Sequence, residues 1–444
     1  MKTPPAGARG RRPLRQHMLR EASTRIVLGL LRKQGPCSRA DLVRYSGLTA
    51  PTVSSAVKHL QTMSLVEPLG LGSSSGGRPP HVIRFNSQFG YVIGMDIGTR
   101  EVRAALADLE GKIIEERSTP THYVTDPGSI LLLVKKCIRT LTGRAGVSPK
   151  KILRLTAAIP GITNARAGVV LTAPILKSGW HNVPFAAMLS DAIRIPVSIE
   201  NDMNLSAVGE AWRGSAQGVR DFVFVTVATG IGAGIFLDGN VYRGHDWAAG
   251  EIAYLQVPGT DEAPLGIYRP GSLETVIGAR AIERSWREGS NGSNGKGPAP
   301  RENLSVTQIF DLAVRGQAQA REILQRTARI LAHAISDVCV ILNVALVVVG
   351  GRVASHPAVF EETCHIIQRN EFYHPRVALS SLGWRAPLLG AIRLALDCVE
   401  ENLLVFPVTT RQIPAEESTL GAQRRSTQRR SRQLKDAQRR SLVL

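Results

Sequence analysis

From residue 90 onward the chain alternates apolar, β-prone runs with helical stretches, which limits this region to an α/β body. The runs are YVIGMDI, VRAALADL, LRLTAAI, IPVSIEN, FVFVTVA and ALVVVGG. Two of them enter glycine-bearing turns, at 96–98 and 228–234, which hints at two similar lobes. No long internal repeat accompanies them. With 444 residues, 43% hydrophobic and 20% charged, the chain suits a soluble globular protein of about two to four domains. No apolar run reaches the roughly 18 residues of a membrane span. The basic N-terminus lacks the apolar stretch of a secretory signal. Cys37, Cys137, Cys339, Cys364 and Cys398 are scattered and form no CxxC pair, as expected of reduced cytoplasmic thiols.

The formal charge of +19 sits mostly at the two ends. Residues 1–90 carry 14 Lys and Arg against 3 Asp and Glu, and residues 407–444 carry 9 against 3. Basic ends on a near-neutral body point to a polyanion partner at the N-terminal end, and to a solvated low-complexity tail at the other. Residues 1–20, rich in Pro, Gly and Arg, are expected to be a disordered basic arm. Residues 23–63 then read as three helices. Ile26, Val27, Leu30 and Leu31 recur at helical spacing. Ser38 and Asp41 resemble a capping box, and Gly47 stops the short second helix. Thr49 is expected to cap the third, with Pro51 in its first turn. That helix buries Val53, Val57 and Leu60, and shows Thr52, Ser54, Ser55, Lys58 and His59 outside. The following LVEPLGLGSSSGGRPPHVIRF reads as a β-wing.

Two helices around a glycine turn, then a wing, with basic charge, suit a winged helix-turn-helix on the major groove of DNA. Ser38, Thr49, Thr52, Ser54 and Ser55 are candidates for base or phosphate contacts, because small hydroxyl side chains allow close approach. Lys58 suits phosphate. Arg78, at the wing end, suits the narrow minor groove.

The body carries an ordered series of turns: Asp96-Ile97-Gly98, Ile159-Pro160-Gly161, Asn201-Asp202, Ala228-Thr229-Gly230-Ile231-Gly232-Ala233-Gly234, Gly250-Glu251-Ile252, Leu273-Glu274, Gly350-Gly351 and Leu389-Gly390-Ala391. In this order and spacing the set resembles the ROK family (repressors, open reading frames and sugar kinases) over roughly residues 23–400. With the winged helix in front it resembles the repressor branch, of the xylose-repressor type. The resemblance implies a two-lobed body of the actin/hexokinase, ribonuclease H-like fold. It implies that Asn201, Asp202, Glu251 and Glu274 contact a sugar and that Gly161 lets the chain approach closely. In family kinases the residue matching Asp202 is also the general base. It implies as well a double-stranded, palindromic operator and a homodimer or dimer of dimers.

Three features bear on the chemistry. Where family kinases read Asp-x-Gly-Gly-Thr-Lys, this chain has Asp96-Ile97-Gly98-Thr99-Arg100-Glu101. Glu101 would repel a triphosphate, and Arg100 is free to meet phosphate, Glu101 or solvent. The second loop, with Thr229, Gly230, Gly232 and Gly234, stays intact, yet glycines are also needed simply to turn the hairpin. Gly350 and Gly351, at the adenosine position, carry the same ambiguity. Thirdly, Tyr254 stands where the family often has a zinc-binding His, and the loop after it has no Cys. Tyr254 is left to offer its hydroxyl to a sugar or to pack in the hinge, and Leu265, Ile267 and Tyr268 to hold the loop.

The expected protein is therefore a cytoplasmic DNA-binding regulator whose body binds a sugar or sugar derivative without phosphorylating it. No zinc, no ATP and no membrane contact are expected, and the nucleotide loops are read as degenerate. A kinase carrying a DNA-binding domain, or a regulator answering to a protein partner, are the alternatives. The expected organisation is a basic arm (1–20), winged helix-turn-helix (21–85), first lobe (86–205, with a returning helix 385–402), second lobe (206–384) and basic tail (403–444). A flexible insertion is expected at 289–303.

Overall fold

The computed structural model describes residues 11–72, 79–176, 179–258, 271–288 and 303–403. Arg78, Leu265, Ile267, Tyr268, nearly all of the insertion and the basic tail lie outside the described residues.

The first unit is a winged helix. Helix α1 (Arg11–Gln34), strand β1 (Cys37–Ser38), helices α2 (Arg39–Ser46) and α3 (Ala50–Thr62), and strands β2 (Val66–Leu71) and β3 (His81–Phe85) follow one another. The strands form a sheet in the order β1-β3-β2, and β2–β3 is the antiparallel wing. Of residues 1–20, expected to be a disordered arm, 1–10 lie outside the described residues and 11–20 are helical in α1. Arg, Leu, Gln, His and Met there tolerate a helix, and Pro13 falls in its first turn, where its missing N–H is no loss. Val27, Leu31, Leu42, Val53, Val57 and Leu60 form the core of this unit, all 1% exposed or less. Fully burying such a side chain is worth about 1.5–3 kcal/mol.

The body repeats one topology twice. In the first lobe, β4 (Tyr91–Ile97), β5 (Glu101–Asp108) and β6 (Ile113–Pro120) make an antiparallel meander. Helix α4 (Pro127–Ala145) leads to β7 (Ile152–Ile159), which lies parallel to β4. Three short strands, β8 (Ile162–Asn164), β9 (Val169–Thr172) and β10 (His181–Val183), form a small flap. Helix α5 (Phe185–Ile193) precedes β11 (Val197–Asn201), parallel to β7. The sheet order is β11-β7-β4-β5-β6.

Helix α6 (Asp202–Arg213) leads into the second lobe, whose meander is β12 (Phe222–Val227), β13 (Ile231–Leu237) and β14 (Asn240–Tyr242). Helices α7 (Ser272–Ile277), α8 (Ala279–Glu288), α9 (Val306–Val314) and α10 (Ala318–Leu342) precede β15 (Leu346–Gly350). After α11 (Pro357–Gln368), β16 (Arg376–Leu379) completes the order β14-β13-β12-β15-β16, with β12, β15 and β16 parallel. The two sheets thus match strand for strand, as the two glycine turns hinted.

Helix α12 (Ala386–Leu403) returns to the first lobe, covers β4 and β7, and crosses α6. The expected lobe boundary at 205 falls inside α6, which packs on both α12 and β13. The α6–α12 crossing is tight because it is built on glycine. A Cβ on Gly390 would overlap the Leu205 carbonyl oxygen, and one on Gly209 would overlap that of Ala386. Alternation along β4 sends Ile93, Met95 and Ile97 into the core under α4, and Gly94 and Asp96 to the opposite face.

Candidate functional site

In the winged helix the sequence reading of local structure largely stands, with one correction. Ser38 caps α2 with a full capping box: its hydroxyl donates to Asp41 Oδ2 at 2.7 Å, and Asp41 N donates to its Oγ at 3.2 Å. Ser38 is buried, 5% exposed, and its hydroxyl is committed inside the protein. Its side chain serves as a helix cap. Gly47, left-handed at φ 67°, ends α2 by donating to Val43 O. Thr49 occupies the cap position of α3, but its side chain accepts no backbone N–H. Its hydroxyl instead meets that of Thr52 at 2.9 Å. Thr49, Ser55 and Lys58 are exposed, and Thr52 and Ser54 half-buried, along the face of α3 opposite its core residues. Arg39 and Arg44 on α2 are exposed nearby and were not singled out by pattern, because charge on a short helix is common.

The cleft between the lobes gathers residues from the carboxyl ends of strands, where open α/β sheets place ligands. Asn201 is chiefly a structural cap. Its side-chain oxygen accepts from Met203 N at 2.9 Å and Asn204 N at 3.0 Å, and its Nδ2 donates to Gly161 O at 3.0 Å. One amide N–H is left for a ligand. Gly161 has φ 143°, and a Cβ there would overlap the Thr172 carbonyl oxygen, so only glycine fits beside the flap.

Asp202 opens α6 and accepts from Met203 N at 3.0 Å. Burial, then the charges of Asp96 and Glu251, push its carboxyl up to about 8. Burial also raises Glu251, with Glu274 adding to it, and raises Glu274 itself. Tyr254 is raised by burial and then by Glu251 and Glu274, so its phenol belongs to the same cluster. Electrostatic coupling thus links Asp96 and Asp202 of the first-lobe side to Glu251, and Glu251 to Glu274 and Tyr254 of the second lobe. The second glycine turn joins this side: Ile231 N donates to Glu274 Oε2 at 3.3 Å. Protonated carboxyls donate and ionised ones accept, so the cluster can match a ring of hydroxyls.

Beside it opens a cavity of about 510 Å³ lined by Asp96, Gly98, Arg103, Thr226, Gly351 and Trp384, among others. Here the first turn is closed by charge. Arg103 Nη1 lies 3.4 Å from Asp96 Oδ2, its Nη2 pairs with Glu101, and its guanidinium stacks over Trp384 at 4.7 Å. Glu101 also accepts from the Ser118 hydroxyl. Glu101 therefore pairs with Arg103, and Arg100 is exposed. Burial raises Asp96 to about 6, although Arg103 opposes the shift. On the second-lobe wall Arg352 donates to Thr229 Oγ1 at 3.3 Å. A Cβ on Gly351 would overlap Val227 O, and one on Gly350 would press on the Phe224 ring, so both glycines serve close packing. Sequence reading missed Arg103, Trp384 and Arg352. Trp384 and Arg352 reach partners far away in the chain, and Arg103, two residues after Glu101, faces it only because alternate residues of β5 share one side of the sheet. Among the described residues no group of three His, Cys, Asp or Glu is placed to hold a metal ion, and no helix is long and apolar enough to cross a membrane.

The profile of the ROK family matches residues 92–398. The chain is 28% identical over 399 residues to the xylose repressor of Caldicellulosiruptor bescii, covering 88% of this chain and 98% of that protein. It is 27% identical over 270 residues to a glucokinase of Halalkalibacterium halodurans, covering 60% of this chain and 81% of that one. A solved ROK family transcriptional regulator, a homolog of the E. coli MLC protein, matches with TM-score 0.68 and 23% identity over 87% of this chain and 98% of that one, a likeness of fold. The matched region holds both glycine turns, the carboxylate cleft and α12, and the chain belongs to the ROK family.

Proposed function

We propose that this chain is a sugar-responsive transcriptional repressor whose cleft binds a sugar or sugar derivative and transfers no phosphoryl group. The observation that carries the reading is the joining of a winged helix to a carboxylate-lined cleft through two interlocked helices, α6 and α12. Asn201 and Asp202 begin α6, α6 locks into α12 through glycine, and the last turn of α12 carries Glu400, which pairs with Arg32 of α1. A shift of α6 on ligand binding would reach the DNA-reading unit along this path, and coupling needs such differential contacts. The xylose repressor likeness supports an operator partner and a sugar effector. A homodimer on a palindromic operator suits a single winged helix per chain.

The absence of phosphoryl transfer is supported by the Arg103–Asp96–Glu101 cluster, which fills the first phosphate turn with its own counter-charge. Zinc is not expected, since Tyr254 supplies no imidazole and the loop after it no thiolate. The glucokinase likeness and the intact second turn favour the alternative of a kinase with a fused DNA-binding domain. Purified protein with ATP, Mg²⁺ and a sugar panel decides between them: ADP formation abolished by Asp202→Asn establishes the kinase. For the repressor, a sugar should raise the thermal midpoint by mass action and weaken a gel shift on the gene's own upstream DNA. Deleting residues 23–85 should remove all DNA binding.

A further inference from the structure

One ion pair between a buried carboxylate and a half-buried arginine joins the two lobes and belongs to none of the motifs above. Glu200, at the end of β11 and just before Asn201, is 1% exposed. Its Oε1 accepts from Asn201 N at 2.9 Å and from Asn204 Nδ2 at 3.0 Å. Its Oε2 accepts from Arg243 Nε at 2.7 Å. Arg243 comes from the opposite lobe. It directly follows β14 and begins the loop that leads to Glu251, and its carbonyl accepts from Ala249 N at 3.2 Å. That loop closes on Gly250, whose Cβ, if present, would overlap the Ala233 carbonyl oxygen. β11 and β14 are edge strands of their two sheets. The pair therefore joins the sheet edges and, at the same time, grips the cap that carries Asp202 and the loop that carries Glu251.

We propose that Glu200 and Arg243 are positioning residues, a clasp across the cleft that sets the first-lobe cap and the second-lobe Glu251 loop in one register for the ligand. The proposal rests on the sugar-site reading above. A buried carboxylate is costly unless paired and hydrogen-bonded, and three donors from two lobes satisfy this one. An ion pair serving stability alone needs no link to both ligand-bearing segments. This one holds each of them within two bonded contacts. Truncating either partner should therefore disturb the two segments together, although they are about 50 residues apart in sequence.

The test uses the full chain without ligand, then with D-xylose, D-glucose and N-acetylglucosamine as probes. Hydrogen exchange read by mass spectrometry should show faster exchange in both 199–205 and 244–252 for Arg243→Ala, with the winged helix unchanged. Arg243→Lys should restore most of the protection. For whichever probe binds the wild type, calorimetry should show a loss on the order of tenfold in affinity for Arg243→Ala. Arg243→Lys should recover part of it, and Glu200→Gln with Arg243→Ala should be no weaker than Arg243→Ala alone. If Arg243→Ala does not fold, Arg243→Gln, which keeps a donor without the charge, takes its place. Faster exchange confined to one segment, or unchanged affinity in a folded variant, overturns the clasp. If no probe binds the wild type while both segments still loosen together, the sugar reading fails and the clasp across the lobes stands.

Discussion

The two meander turns of the body, β4–β5 and β12–β13, occupy equivalent places in equivalent sheets and are held in opposite ways. The first is held by charge: Arg103 faces Asp96 and Glu101, and Ser118 donates to Glu101. The second is held by shape and backbone hydrogen bonds. Gly234 packs against the Met203 carbonyl with no room for a Cβ, and Ile231 N reaches Glu274. One fold therefore offers two kinds of wall. The charged wall carries its own counter-ion. The tight wall presents backbone and carboxylate to whatever enters. Repeated topology does not bring repeated chemistry, because the sheet fixes where strands end and not which side chains stand there.

The sharpest way to break this contrast is steric. Gly234 of the second turn motif packs on the Met203 carbonyl oxygen with no space for a Cβ, so Gly234→Ala should destabilise the protein by about 3 kcal/mol. Gly98 in the first turn has no positive φ, and its Cβ would sit 3.1 Å from the Glu101 carbonyl oxygen. Gly98→Ala should cost about 1 kcal/mol or less. Urea unfolding of both variants checks this, and equal costs would remove the distinction.

The second effect is electrostatic and belongs to the cleft the two walls share. Asp202 is raised to about 8 in the folded chain, chiefly by burial. A carboxyl raised on folding stabilises the native state below its ordinary range and loses that contribution as pH climbs through the raised value. Wild-type stability should thus fall between about pH 4 and 8. Asp202→Asn, which cannot ionise, should flatten this slope and be the more stable protein at pH 8. Denaturant midpoints at pH 5 and pH 8 read the difference directly. A variant that follows the wild-type slope shows that Asp202 is ionised at neutral pH in the empty cleft.

Why some of this was visible in the sequence and some was not follows from distance along the chain. The capping box Ser38–Asp41, the stop at Gly47 and the buried stripe of α3 are local, so pattern alone places them. The turns that mark the two lobes are local too, as are Asn201, Asp202 and Glu251. That Ser38 is buried in its cap and that Asn201 caps α6 were not legible, because a hydroxyl or amide that completes a cap reads the same as one that greets a ligand. Arg352, Arg243 and Trp384 act across separations that only the sheets create, while Arg103 lies two residues from Glu101 on one face of β5. Helix α1 starts earlier than expected because composition signals for disorder ignore how well Arg, Gln and Met tolerate a helix.

Arg103 offers a third test on the charged wall. Removing it takes away the cation that opposes the rise of Asp96, so the Asp96 carboxyl should climb above about 6. By the same linkage, Arg103→Ala should cost little near pH 4.5 and about 1 kcal/mol more at pH 7.5. The double variant with Asp96→Asn should lose that pH dependence. Titration with ATP and Mg²⁺ sharpens the comparison further. If the charged wall excludes nucleotide, Glu101→Gln, which removes the repelling carboxylate, binds it more tightly than the wild type.

The smallest effect on stability carries the most information about signalling. Arg32 donates to Leu109 O at 3.1 Å, lies 5.3 Å from the Phe85 ring centre and pairs with Glu400, all from partly exposed positions. Such a pair contributes about 1 kcal/mol at most to folding. It nevertheless joins α1 to the end of α12, and α12 is keyed to α6 at Gly390 and Gly209, with Asp202 at the start of α6. If the tight wall and the cleft speak to the operator along this line, Arg32→Ala should leave sugar affinity and operator affinity each nearly intact while the effect of sugar on operator binding shrinks. Reversing the pair with Arg32→Glu and Glu400→Arg should restore it, because the two ends exchange charge and keep the contact. Operator titrations with and without sugar, by fluorescence anisotropy, read the ratio. A ratio unchanged in Arg32→Ala would move the route to other contacts of the winged helix with the start of the first lobe, such as Asn86 Nδ2 with Ser64 O and Asn86 N with Leu65 O.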